Sequence, residues 1–385
     1  MGSKIGRTVL LGIALNAVCC VLAAEPEIPA VTAAVKEFVE KKEITGVVTI
    51  VATRDKIVHL SAVGQADTAG TPMAVDTMFW IASMTKPITA SAIMMLQDEG
   101  KLSVDDPVEK YLPELADLKT VDGKSGKLTL RHLLTHTSGL AEATNEQAVA
   151  AKTLAELIPH FAKKPLQFEP GSKWQYCQSG INSLGRIVEV VSGQTFPEFL
   201  QKRFFDPLGM KDTTFYPTKE QQPRIVKGYK FADGKLTETP FMALFDPKKP
   251  DHFPAANGGL FSTASDYARF AQMILNQGTV GGKKYLTPES IKLMTSIQTG
   301  EIKTGFTEGN GWGLGWCVVR KPQGVSEALS AGSFGHGGAW GTQAWIDPEK
   351  QAAYILMVQR SNFPNSDASD LRRAFQAAAA PAITK

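Results

Sequence analysis

Cysteine is scarce in this chain, with four in 385 residues, and two of them, Cys19 and Cys20, fall near the start. The other two, Cys177 and Cys317, do not make a disulfide framework. They can pair in an oxidising compartment, although each also suits the role of a small buried apolar residue. Histidine is nearly as sparse, and its six residues lack the close spacing of metal ligands, so no metal is expected. No charge sign dominates either. There are 41 basic side chains against 38 acidic ones. Without a long basic stripe, nucleic acid is not an expected partner. Past the first 24 residues, no apolar run is long enough to cross a bilayer.

The first 24 residues differ from the rest. Lys4 and Arg7 precede an apolar run from Val9 to Leu22, and Ala23-Ala24 follow. A charged start, a short apolar middle and small residues at a cut site describe a secretory signal. As a membrane anchor the run is short. The expectation is an exported chain, periplasmic or extracellular, that begins near residue 25. Lipid attachment at Cys19 or Cys20 is disfavoured, because Val18 or Cys19, rather than a small residue, would precede the modified position.

At 43% hydrophobic, the remainder can bury a large core. Residues 45–64, TGVVTIVATRDKIVHLSAVG, read as two β-rich runs around Arg54-Asp55-Lys56, a hairpin. Residues 339–359 repeat the pattern around Asp347-Pro348-Glu349-Lys350. Helix-like apolar spacing marks residues 129–140, 180–193 and 195–210. Thr263 and Asp266 stand in a capping-box arrangement ahead of another helix, with Gly278 as its stop. Residues 216–256, rich in Pro, Lys and Gly, read as a long irregular connection. Strands near both ends with helices between them predict an α/β (α+β) fold. Its antiparallel sheet is formed by both chain ends, about residues 30–100 and 255–385, and is flanked by helices. A mainly helical insert spans about 101–254. The expected site lies between these parts of one catalytic unit over 25–385.

FWIASMTKPITASAIMMLQDEG, residues 79–100, sets Ser83 and Lys86 three positions apart at the start of an apolar helix. Residues at that spacing share a helix face. Pro87 lacks an N–H and is tolerated only near the first turn, which puts Ser83 at or just before the helix start. It also biases Lys86 away from helical dihedrals, so an irregular first turn is expected. Free N–H groups and the positive end of the helix dipole lie there. A serine hydroxyl needs a base to become a nucleophile. A lysine whose proton affinity is lowered by burial can serve. Taken alone, the S-x-x-K pair also reads as a helix cap followed by a solvated lysine.

FWIASMTKPITASAIMMLQDEGKLSVDDPVEKYLP resembles the nucleophile segment of the serine β-lactamase and penicillin-binding-protein superfamily. The resemblance is nearest to the class C-like branch that includes the family VIII carboxylesterases. LTLRHLLTHTSGL, FEPGSKWQYCQSGINSLGRIVEVVSG, FFDPLGMKDTTF, GGLFSTASDYARFAQMIL and FGHGGAWGTQAWIDP resemble that branch in its order, covering about residues 30–360. The resemblance implies a β-lactamase/transpeptidase-like fold, with Ser83 as nucleophile and Lys86 beside it.

The branch's second element is a tyrosine motif, and Tyr176-Cys177-Gln178 stands at its place. The resemblance implies that Tyr176 shares the proton work with Lys86; which of the two is the resting base stays open. Outside that context Tyr176 reads as a packed aromatic. Gln178 replaces the asparagine of many relatives and still donates and accepts. Cys177 reads as a packing residue. The third element is His336-Gly337-Gly338 at a strand. Its glycines admit substrate close to the backbone. The resemblance implies that the N–H groups of Ala339 and Ser83 form an oxyanion hole. Relatives carry Lys-Thr-Gly at this place or, in the esterase-like branch, His-Gly-Gly. A histidine, with a reference pKa of roughly 6.5, is mostly neutral at pH 7 and grips a carboxylate less firmly. His336 also reads as a residue that merely shapes the strand.

Competing features fit less well. AGSFG, 331–335, is close to a nucleophile elbow, but Ser333 is followed by His336-Gly337-Gly338 and a hairpin rather than a helix. His136 sits at a helix end before Ser138-Gly139 and reads as a cap. Of Trp312, Trp316, Trp340 and Trp345, Trp340 is the best placed to line an acyl pocket, and the others read as core. The expectation is an exported serine hydrolase working through an acyl-enzyme on small or short-acyl esters. No cofactor is implied. A β-lactamase or D-amino-acid peptidase is the nearest alternative, and a non-catalytic peptidoglycan- or ligand-binding homologue is the alternative of another kind.

Overall fold

Gly46–Thr53, GVVTIVAT, is apolar on both faces, a pattern that suits a strand covered on both sides. It forms β1, and Ile57–Gly64 forms β2, paired antiparallel across the Arg54-Asp55-Lys56 turn. The computed structural model describes residue 2 and residues 26–383. Apart from Gly2, the expected leader over 1–24 lies outside the described residues. Five further strands come from the C-terminal part: β3 Asn310–Trp312, β4 Cys317–Val319, β5 Phe334–Gly337, β6 Gln343–Asp347 and β7 Ala352–Met357. They complete a seven-stranded antiparallel sheet in the order β2-β1-β7-β6-β5-β4-β3. The first strand thus lies beside the last, with Val48 opposite Met357 and Thr53 opposite Ala352.

Alternation along β1 sends its side chains into two cores. Val47 and Val51 pack with Tyr354, Leu356 and Phe375 on the outer face. Helices α1, Pro29–Glu40, and α5, Asp370–Ala379, cover that face through Val31, Val35 and Leu371. Val48 and Ile50 pack inward with Ile88, Ala268 and Ile355. The inner face carries α2, Thr85–Asp98, and α4, Ala264–Leu275. Every residue of α2 from Thr85 to Leu96 is buried, as befits a central helix rich in small side chains. Beyond α2 lies the helical region, whose long element α3, Gln178–Ser192, packs against α2 and ends on Gly193 in the left-handed conformation.

Five local expectations change. The helix in 129–140 is short, Leu130–Leu134, because Thr129 and His132 cap its start and His136 turns to φ 59°. Residues 196–208 are helical but contain a π turn at Gln201–Phe205. Thr263 does cap α4, accepting from Asp266 N–H, yet no full capping box forms. The Asp266 carboxylate instead accepts from Asp212 N–H at 2.7 Å and Thr213 Oγ1–H at 3.0 Å. The helix also stops at Leu275, before Gly278, because Gln277 already takes φ 53°. Finally, the connection 216–256 holds a hairpin, Tyr229–Ala232 with Lys235–Glu238. Asp233-Gly234 turns it with φ 52° and 71°, the local signal of a tight hairpin. Among the described residues, no helix is long and apolar enough to cross a membrane.

Candidate active site

Ser83 sits in a single 3₁₀ turn, Ala82–Met84, that leads into α2. The irregular first turn expected from Pro87 does not occur: Lys86 is helical within α2, and the 3₁₀ turn precedes the helix. Ala82 takes φ 45°, a conformation that costs a non-glycine residue on the order of 1 kcal/mol. From the next turn Lys86, fully buried, donates to Ser83 Oγ at 3.0 Å. Its Nζ also donates to Gln178 Oε1 at 3.0 Å and to Asn257 O at 2.7 Å. Burial is the largest influence on this amine and lowers its pKa to about 7, against a smaller upward pull from Glu142.

Tyr176 and Gln178 reach the same point from the start of α3. Lys86 Nζ lies 4.5 Å from the centre of the Tyr176 ring. His136 braces this stretch: its Nδ1 accepts from Cys177 N–H at 3.1 Å, its carbonyl accepts from Gln175 N–H at 2.9 Å, and its ring lies 4.4 Å from that of Tyr176. Cys177 caps α3, with Sγ accepting from Gly180 N–H at 3.4 Å. Both Cys177 and Cys317 are buried and free. Burial pushes the Tyr176 phenol well above its ordinary value, while the nearby Ser83 hydroxyl pulls the other way. Desolvation is the larger influence.

The third side of the site is the end of β5. His336 lies within the strand, and burial, then Lys86, lowers its pKa to about 3. Its Nδ1–H donates to Gly337 O at 2.8 Å, which leaves Nε2 to accept from the Tyr176 hydroxyl at 3.4 Å. Gly338 N–H donates to Thr342 O at 2.7 Å, and Thr342 Oγ1–H donates to Ile81 O at 3.4 Å. This turn holds Ala339 beside the Ser83 segment. A Cβ on Gly338 would stand 2.1 Å from Thr342 Oγ1 and 2.6 Å from Ile81 O. Gly338→Ala is therefore expected to cost about 1–3 kcal/mol by forced displacement and to lower turnover as well; thermal melting alongside kinetics checks it.

A cavity of about 310 Å³ opens beside Ser83 and is also lined by Ala339, Glu142, Gln178 and Asn257. Its apolar wall is Trp80, Leu157, Phe161, Leu244, Phe245 and Phe253. Trp340, expected to line it, stands one layer back. Trp80 occupies the wall and meets Trp340 edge-on at 5.2 Å, with Phe241 stacked on Trp340 at 5.1 Å. Trp312, Trp316 and Trp345 are core. Ser333 is fully buried in the turn before β5, away from the cavity wall. Among the described residues, no lysine or arginine lines the cavity, and no group of three or more His, Cys, Asp or Glu is placed to hold a metal ion.

Sequence reasoning missed three contributors. Asn257 offers its carbonyl to Lys86, and its Nδ2 donates to Gln178 Oε1 at 2.8 Å. Glu142 meets the start of α3. His136 positions Tyr176 rather than merely ending a helix. The asparagine ahead of Gly258-Gly259 and the acid just after Gly139-Leu140 are the local signals, and neither shows its partner without the fold.

A sequence model of the family described as Beta-lactamase matches residues 31–379. Esterase EstB of Burkholderia gladioli is 31% identical over 354 residues, covering 84% of this chain and 88% of that protein. Penicillin-binding protein 4 of Amycolatopsis lactamdurans is 31% identical over 277 residues, covering 71% of this chain and 69% of that protein. Among solved structures, EstCE1, described as a hydrolase with promiscuous acyltransferase activity, superposes with a TM-score of 0.77 at 23% identity. The match covers 91% of this chain and 97% of that one, a likeness of fold. With a serine–lysine pair, a tyrosine and a strand-borne His-Gly-Gly converging in this fold, and a family match over residues 31–379, the chain belongs to the Beta-lactamase family of serine hydrolases.

Proposed function

We propose that the protein is a carboxylesterase that hydrolyses small neutral esters through an acyl-enzyme on Ser83. The observation that carries the ester reading is the charge of the pocket. A β-lactam or a D-Ala-D-Ala stem presents a carboxylate, and a site that grips one uses a firm cation. Here burial keeps His336 neutral, no lysine or arginine among the described residues lines the cavity, and Glu142 places an acidic side chain on its wall.

The proposed sequence starts from the contact between Ser83 and Lys86. Neutral Lys86 takes the Ser83 Oγ proton over 3.0 Å as Oγ attacks the carbonyl carbon. Because the phenol is pushed up and the amine down, Lys86 is the resting base and Tyr176 remains protonated. Backbone N–H groups of Ser83 and Ala339 stabilise the oxyanion. Tyr176 passes its proton to the departing alkoxide and is reprotonated from Lys86. Water then attacks the acyl-enzyme with the same groups in reverse, releasing the acid. The apolar wall of the cavity takes a short acyl chain. The charged start, apolar middle and Ala23-Ala24 support export, with the working chain outside the cytoplasm.

A substrate panel tests this reading. Turnover of p-nitrophenyl butyrate is expected to exceed that of nitrocefin and of a D-Ala-D-Ala peptide by about 10²-fold or more in kcat/KM, the scale on which an unmatched polar group discriminates. Equal or faster turnover of nitrocefin or the peptide would move the assignment to a β-lactamase or D-amino-acid peptidase. Failure of all three to turn over, with no adduct on Ser83, would favour a ligand-binding homologue.

A further inference from the structure

Among the described residues, Glu142 is the one acidic side chain on the wall of the Ser83 cavity, and the proposed reaction does not use it. Its carboxylate lies across the start of α3. Oε1 accepts from Gln178 N–H at 2.5 Å, and Oε2 accepts from Ser179 N–H at 2.9 Å and Ser179 Oγ–H at 2.6 Å. These N–H groups have no partner within the helix, and the dipole there favours negative charge. The glutamine held in this way meets the lysine directly. Gln178 Oε1 accepts from Lys86 Nζ at 3.0 Å and from Asn257 Nδ2 at 2.8 Å. Only Gln178 separates Glu142 from Lys86 in the hydrogen-bond chain. The Glu142 backbone is itself anchored, its carbonyl accepting from Lys164 Nζ at 2.7 Å.

We propose that Glu142 is a positioning residue for the Ser83–Lys86 pair, fixing Gln178 against the lysine and supplying the negative charge that steadies its ammonium form. This rests on the reading of Lys86 as the base. The other titratable groups around the amine are Tyr176, Cys177, His136, His336 and Asp367. Burial keeps both histidines neutral at pH 7, raises the Cys177 thiol to about 12 and holds the Tyr176 phenol higher than usual. The Asp367 carboxyl is pushed up by its own burial and acts on Lys86 less strongly than Glu142 does. Glu142 is therefore the main counter-charge, and it works through a clamp that also sets side-chain geometry.

The test is the pH dependence of Ser83 labelling by a fluorophosphonate in the full chain, which needs neutral Lys86 and no knowledge of the natural substrate. Glu142→Gln keeps an acceptor oxygen and nearly the same volume. It is expected to move the acid limb of the labelling rate to lower pH by about one unit, the scale of a close opposite charge, and to lower the plateau above pH 8. The sign follows from the charge: without the carboxylate the ammonium is less stable, so the amine is neutral at lower pH. Glu142→Asp, which keeps the charge but shortens the reach, is expected to retain the wild-type limb with a reduced plateau. An unchanged limb in Glu142→Gln, with Ser83 still labelled, would overturn the proposal and leave Glu142 a purely structural cap. A wild-type chain that gives no adduct on Ser83 at any pH would overturn the reading of the site itself, and this proposal with it. Melting curves of each variant establish that the compared chains are folded.

Discussion

Ser83→Ala is expected to lower kcat for p-nitrophenyl butyrate by on the order of 10⁶-fold, the scale seen when a serine hydrolase loses its nucleophile. Among the described residues, the alcohol at 83 is the one hydroxyl that combines a 3.0 Å contact to a buried amine with a place on the cavity wall. Ser179 shares the wall, but its Oγ–H is committed to Glu142 at 2.6 Å. Alanine leaves Lys86 its bonds to Gln178 Oε1 and Asn257 O, so the fold is expected to persist. Intact-mass measurement after fluorophosphonate treatment checks the assignment: one adduct on the wild-type chain and none on the variant. Turnover within tenfold of wild type would rule out Ser83 as the nucleophile.

Lys86→Met is expected to lower kcat/KM by about 10²–10⁴-fold, the contribution of a positioned general base. Its effect on stability separates the two roles of the lysine. A buried amine with a pKa of about 7, against 10.5 in the unfolded chain, is a site where the unfolded state holds a proton that the folded state gives up. The destabilisation is present in full below pH 7 and is relieved as pH rises towards 10.5. Methionine removes that penalty while filling similar volume, although the Asn257 carbonyl then loses a donor. The variant is thus expected to gain melting temperature relative to wild type at pH 6, with the difference shrinking as pH is raised to 10. A lysine that served only as a structural anchor would show the reverse, a loss of stability at pH 6 with turnover preserved.

The architecture was readable where local pattern and tertiary environment agree. The two hairpins stand out because their apolar runs flank polar turns, and their positions near the two ends imply a sheet closed by both. Misreadings arose where a distant partner won. Asp266 left its expected capping role because Asp212 N–H and Thr213 Oγ1–H claim its carboxylate. Gln277 ended α4 ahead of the glycine expected to do so. The hairpin at Asp233-Gly234 carried a local signal that was hidden in a stretch read as irregular for its prolines and lysines.

For the site, residue types and their order along the chain pointed to Ser83, Lys86, Tyr176 and His336 before any geometry was known. Spacing along one helix relates the first two, because three residues bring side chains onto one face. What the chain alone determined is therefore the chemistry available: an alcohol next to an amine, a phenol, and a histidine where relatives carry lysine or histidine. The tertiary structure shifts the proton affinities of these groups, through burial that lowers Lys86 to about 7 and His336 to about 3 and raises Tyr176. It also decided that Glu142, Asn257 and His136 stand around them. Desolvation and charge act through space, between residues as far apart in the chain as Lys86 and His336, 250 positions, and no local pattern carries that information.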